Sequence, residues 1–240
     1  LERHAIWQTA ATAGGDRQIG RWDALARRDV TGTADKPLGN QEQRVMGTES
    51  EQKLARDYLE STRDTFLSHK ESADRAIAQV SDAGLRRTLD EHTNSIAIIM
   101  RHIAGNLTSR WTEFRTTDGE KPWRDRDGEF VEQHESREQL LARWNAGWQI
   151  VLDALAHLKV EELGGTIYTR GEGQSVLLAL QRSLAHVAYH CGQIVLLARV
   201  FTEGEWQILT IQRGGSAEYN ARNWGAGTPG PNLGEAEAGD

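Results

Sequence analysis

A chain of 240 residues can form one well-buried domain or two small ones. Its formal charge of −7 argues against a general nucleic-acid binder and against adhesion to anionic membranes. The single cysteine, Cys191, excludes an internal disulfide and fits a reducing compartment, so the expected setting is the cytoplasm. No unbroken apolar run reaches the ~18 residues of a membrane span. The first residues lack the basic-then-apolar order of a secretory signal.

Residues 1–47 carry scattered glycines and charges with little apolar periodicity, and are expected to be a weakly ordered N-terminal extension. Met46 just precedes Thr48-Glu-Ser-Glu51, which has the form of a capping box. Met46 is therefore one expected native start; the other reading is a genuine N-terminal arm. Four helical patterns follow in residues 48–224. The first spans about Ser50 to Val80, with Leu54, Tyr58, Leu59, Phe66, Ala73, Ile77 and Val80 on one side. The second runs from an Asn94 N-cap to about Thr116, its inner side carrying Ile96, Ile99, Met100, Ile103, Leu107, Trp111 and Phe114. Thr117 to Glu135 is longer than the ~2–8 residues usual between helices, so this loop is expected to cross the molecule or cover a site.

The third helix starts at a capping box, Ser136-Arg-Glu-Gln139, and continues to about Leu158. Its stripe is Leu141, Trp144, Trp148, Val151, Leu152 and Leu155. Gly164 to Gly171 has room for a short extended piece. The fourth helix, about Gln174 to Thr202, is the most apolar, and residues 225–240 read as a disordered tail. The expected fold is all-α, a four-helix bundle with a long loop between the second and third helices.

The chemistry lies in Ser183-Leu-Ala-His-Val-Ala-Tyr-His-Cys-Gly-Gln193. His186 and His190 are four apart and share a helix face. His102 sits on the inner side of the second helix, one turn before Asn106. Three imidazoles from two helices can grip one divalent ion and leave a position open for water or substrate. The other reading is three core histidines bonded to carbonyls or water. His157 is a reserve ligand, and Cys191 is a small buried residue turned about 100° from His190.

Three motifs in order resemble the DinB-like (DinB/YfiT) superfamily. They are Asn94-Ser-Ile-Ala-Ile-Ile-Met-Arg-His-Ile-Ala-Gly-Asn-Leu107, Asp118-Gly-Glu-Lys-Pro-Trp-Arg-Asp-Arg-Asp-Gly-Glu-Phe130 and His186-Val-Ala-Tyr-His-Cys-Gly-Gln193, with the loop marking an uncharacterised branch. The resemblance covers roughly residues 50–224. It implies an up-up-down-down bundle and one divalent metal, nickel or zinc first, iron or manganese next, held by His102, His186 and His190. Characterised relatives include transferases and isomerases that use low-molecular-weight thiols.

Two functions follow. One is a metal-dependent enzyme that activates a thiol or water, resembling a thiol S-transferase or a hydrolase. The other is a non-catalytic stress protein that binds a divalent metal. Asn106 and Gln193 are candidates to touch water or a thiol beside the metal. Trp123, Arg124 and Arg126 are candidates for substrate contact, or else part of a solvated loop. The expected partner is a small molecule, a low-molecular-weight thiol among the options, and a homodimer is open. No nucleic-acid partner is expected, since the acidic balance and the lack of a basic stripe argue against one, and no membrane partner is expected.

Overall fold

The computed structural model describes residues 48–225, so the expectations for 1–47 and for the tail beyond Gly225 lie outside the described residues. The described chain is mostly helical with one small sheet. In order it runs α1 (Glu49–Ile77), α2 (Asp82–Arg86), α3 (Ile96–Trp111), a 3-10 turn (Asp127–Phe130), α4 (Arg137–His157), a 3-10 turn (Val160–Glu162), β1 (Thr166–Thr169), β2 (Glu172–Ser175), α5 (Val176–Phe201) and α6 (Ser216–Trp224).

Serines start three of the long helices. Ser95 accepts from the Ile98 amide (3.2 Å), Ser136 from the Gln139 amide (3.3 Å) and Ser175 from the Leu178 amide (3.2 Å). Each satisfies an amide left unpaired by the helix start. Ser136 and Gln139 complete the reciprocal box expected there, the Gln139 side chain accepting from the Ser136 amide at 2.8 Å. The box expected at Thr48 does not form, because the Thr48 side chain makes no cap bond and instead lies 3.5 Å from Glu51 Oε2. The second long helix is capped by Ser95 rather than Asn94. It ends at Trp111 rather than Thr116, since Thr112 is extended and Glu113 adopts a φ of 48°. The expected extended piece is an antiparallel hairpin, Thr166 facing Ser175 and Thr169 facing Glu172, and it takes Gln174 from the fourth helix.

Four long helices surround one core. α3 lies chiefly against α4, and α1 against α5; contact between α3 and α5 joins the two histidine-bearing helices. Phe66, Trp144 and Trp148 are fully buried in edge-to-face contact, centroids 6.3 Å apart for Phe66–Trp148 and 5.3 Å for Trp144–Trp148. Trp144 Nε1 donates to Asp74 Oδ1 (2.7 Å), and Trp111 Nε1 to Ser183 Oγ (3.1 Å). A Cβ on Gly147 would lie 2.7 Å from Ala104 Cα, so only glycine lets α4 approach α3 this closely.

Every apolar residue assigned to the inner side of the second helix is buried. The first helix differs. Its buried side runs through Ala55, Tyr58, Leu59, Thr62 and Phe66, and Leu54 is 70% exposed. On α4, Leu141 and Leu152 are only partly buried, whereas Leu140 is buried. By length and overall composition α5 is apolar enough to cross a membrane, although Gln181, Arg182 and the histidines interrupt its apolar run. Its Leu180, Val187, Ile194 and Phe201 are core residues, which accounts for that composition.

Candidate metal centre

The Ser95 and Ser175 caps fix where α3 and α5 begin, and the packing of these helices sets His102 opposite His186 and His190. One donor atom from each of the three lies within 4.8 Å of the others. His102 is buried, and the other two are half-buried. Ring centroids are 5.1 Å apart for His102–His186, 5.0 Å for His102–His190 and 4.7 Å for His186–His190. His102 Nε2 and His186 Nε2 approach to 3.1 Å.

The protons can be assigned from the partners. His102 Nδ1 lies 2.9 Å from Glu129 Oε2. An ionised carboxylate only accepts, so Nδ1 carries the proton and Nε2 presents a lone pair inward. Burial pushes the Glu129 carboxyl up, but hydrogen bonds from His102 and Arg124 outweigh it and hold it below the usual range. His190 Nδ1 donates to Gln193 Oε1 (2.7 Å), which again leaves Nε2 free. Both bonds keep a lone pair aimed at the centre.

Burial is the main force lowering the His186 pKa, to about 2, and the electrostatic influence of His190, His102, Arg124 and Arg110 adds to it. Burial likewise lowers His190 to about 4, against the Gln193 bond, which raises it. Both rings are therefore neutral, as metal ligands must be. His186 Nδ1 is buried with no hydrogen-bond partner among the described residues. If His186 Nε2 carries the ring proton and donates to His102 Nε2, the bare lone pair is at Nδ1. With an ion between the rings, both Nε2 lone pairs are used instead. Imidazole–zinc bonds of about 2.0–2.1 Å put two ligand nitrogens roughly 3–3.4 Å apart, and the 3.1 Å separation fits. The donor set can hold a divalent ion.

The long loop covers this centre. Arg101, only 3% exposed, binds it to α3 by donating to Glu135 Oε2 (3.1 Å), Glu129 O (3.2 Å) and Val131 O (2.6 Å). Phe130 lies 4.7 Å from the His102 ring. Glu129 reaches α3 because residue 105 is glycine; a Cβ there would lie 2.2 Å from Glu129 Oε1. Arg124 holds the same carboxylate with two bonds, Nε to Oε1 (2.8 Å) and Nη2 to Oε2 (2.9 Å). The loop's start is tied to the hairpin, the Gly119 amide donating to Tyr168 O (2.8 Å) and Asp118 accepting from the Arg170 and Gly171 amides (both 2.8 Å).

The candidates taken from sequence fall out unevenly. Gln193 orients His190. Asn106 is half-buried, and its side chain makes no hydrogen bond among the described residues. Arg124 is in the site as the brace of Glu129, whereas Trp123 is 57% exposed and Arg126 is exposed with its guanidinium 6.0 Å from the Phe130 centroid. His157 is exposed and hydrogen-bonds Asp153 O (2.8 Å) on its own helix, so it is no ligand here. Cys191 is buried and its thiol is pushed up to about 12, chiefly by burial, which leaves it inert. Glu129, the carboxylate that sets His102, was not visible in the sequence. Its one local signal was an acid next to Phe130 in a loop long enough to return to α3.

No curated protein and no solved structure matches the chain. A family model does, over residues 53–215, a span that includes α3, the covering loop and α5. The chain belongs to the family described as "Protein of unknown function (DUF1572)".

Proposed function

We propose that the chain is a metal-dependent enzyme of the DinB-like superfamily, its four long helices forming an up-up-down-down bundle. His102, His186 and His190 would hold one divalent ion, nickel or zinc first. The observation that carries this reading is the convergence of the three rings with His102 and His190 already fixed in the ligand tautomer. Three neutral ligands leave the charge of the ion undiminished, and a bound ion would make a thiol or water nucleophilic at neutral pH. A low-molecular-weight thiol is the proposed nucleophile, with water as the alternative.

The residues around the rings have separate tasks. Glu129 and Arg124 hold His102 in place, and Gln193 holds His190. Phe130 excludes water from one face of His102. Tyr189, 66% exposed with its ring 5.1 Å from His190, offers an aromatic wall on the open side.

Elemental analysis tests the ligand set. Wild type is expected to carry about one divalent ion per chain, the stoichiometry of a three-histidine site, and His186→Ala little. Equal metal in both would overturn it. A screen of metal-loaded protein with thiols and electrophiles then separates turnover from simple binding.

A further inference from the structure

The outer face of α5 is unlike those of its neighbours. α1 turns Arg56, Glu60 and Asp64 to solvent, and α4 turns Glu138, Arg143 and Asp153. From Ser183 to Ala198, α5 has no Asp, Glu, Lys or Arg, and its exposed positions are Ala185, Tyr189, Gly192 and Leu196. Val200, also exposed, continues the line. Spacings of three and four keep these residues on one side of the helix. An apolar strip of this kind, on a surface otherwise charged, marks a place of contact.

Gly192 sits in the middle of the strip. Glycine inside a helix costs stability, and nothing in the described chain calls for it, since a Cβ there would have no atom within 4 Å. Gly147 shows the use of such a residue within the fold, where α4 closes on α3. The two ends of the strip carry opposite charge. Arg182, which also bonds Gln174 Oε1 at 2.9 Å, is exposed one turn before Ala185. Glu203 is exposed just past the end of α5.

We infer that this face joins two copies of the chain, paired antiparallel through α5 about a two-fold axis beside Gly192 and Gln193. In a two-fold contact, if one residue meets a second, the second meets the first. The strip has the order such a contact needs. Arg182 meets the partner's Glu203, Ala185 the partner's Val200, Tyr189 the partner's Leu196 and Gly192 the partner's Gln193, the members of each pair standing equally far from the axis. The ends complement each other in charge, once on each side of the axis, which selects a second copy and fixes its register. A slip of four residues would set Arg182 against the partner's Arg199, like charge against like. The contact also reaches the histidine centre, because the Tyr189 ring lies 5.1 Å from that of His190. The partner's Leu196 would back that ring and hold it in place. The pairing does not depend on the metal reading.

The test is analytical ultracentrifugation of the full chain over a range of concentrations, with circular dichroism to check the fold of each variant. Wild type should sediment as a species of twice the 26.8 kDa of one chain. Leu196 is 61% exposed, so Leu196→Asp should keep the fold and give monomer. Arg182→Glu and Glu203→Arg should each raise the dimer dissociation constant several-fold, because either change sets like charges together on both sides of the axis. The double variant should bring it back towards wild type, a recovery that damage to the fold cannot produce. A wild-type monomer at every concentration would overturn the inference, whether the face then binds phosphatidylcholine vesicles in a flotation assay or is covered by the chain's own terminal residues. A dimer untouched by Leu196→Asp would use another face and overturn it equally. So would a double variant that fails to recover, since the register would then be wrong.

Discussion

Replacing Glu129 with glutamine is the sharpest probe of how the centre is set. The change is isosteric but removes the charge. Glu129 Oε2 now accepts from His102 Nδ1 at 2.9 Å and from Arg124 Nη2 at 2.9 Å, while Oε1 accepts from Arg124 Nε at 2.8 Å. An amide has one oxygen for these three donors, and its NH₂ must face either the arginine or the histidine. If it faces His102, the ring must turn its lone pair outward and its N–H toward His186. Loss of such an outer carboxylate typically weakens metal binding ~10–100-fold, or about 1.4–2.7 kcal/mol. The fold should suffer too, because Arg124 and Glu129 side chains are only 2% and 8% exposed. Uncoupling a buried pair by removing one partner costs about 3–5 kcal/mol. Competition with a chromophoric chelator measures the first effect and urea unfolding of metal-free protein the second. Unchanged zinc affinity in a folded Glu129→Gln protein would refute the claim that Glu129 orients His102.

Gly147→Ala should destabilise the protein by about 1–3 kcal/mol, the range for overpacking, since the new methyl meets Ala104 backbone at 2.7 Å. Thermal unfolding checks it, and an unchanged midpoint would mean that α3 and α4 separate without cost. The depressed pKa values of His186 and His190 predict that metal-free protein is most stable above the ordinary histidine value of 6.5. As pH falls below it, the unfolded chain takes up protons that the folded rings refuse until about 4 for His190 and about 2 for His186, so stability declines across that window. Chemical denaturation at a series of pH values should show it, and a flat profile between 6.5 and 4 would contradict buried neutral rings.

The histidines were legible because each sits on a long helix, where spacing alone fixes the face. His186 and His190 had to share one side of α5, and the stripe from Ile96 to Leu107 had to turn His102 inward. Leu54 was misplaced for the opposite reason. Near the start of α1 the buried phase is set by Tyr58, Thr62 and Phe66, and Thr62 gives no hydrophobic signal. Phe114 was rightly placed in the core although α3 had already ended, since a side chain can keep its place after the backbone changes course. Glu129 was out of reach. It lies 27 residues from His102 in a loop with several acids, and only tertiary contact distinguishes it from Asp125 or Asp127.

Gly105 gives the site a signature that can be sought in other chains. The notch in α3 and the acid that fills it are separated by 24 positions, yet neither has a purpose there without the other. A relative with alanine at the notch must shift its acid or lose it, and with it the brace on its first histidine. The two positions should therefore change together across descent, and a chain that has lost both while keeping all three histidines would mark a lineage that orients its ligands by other means.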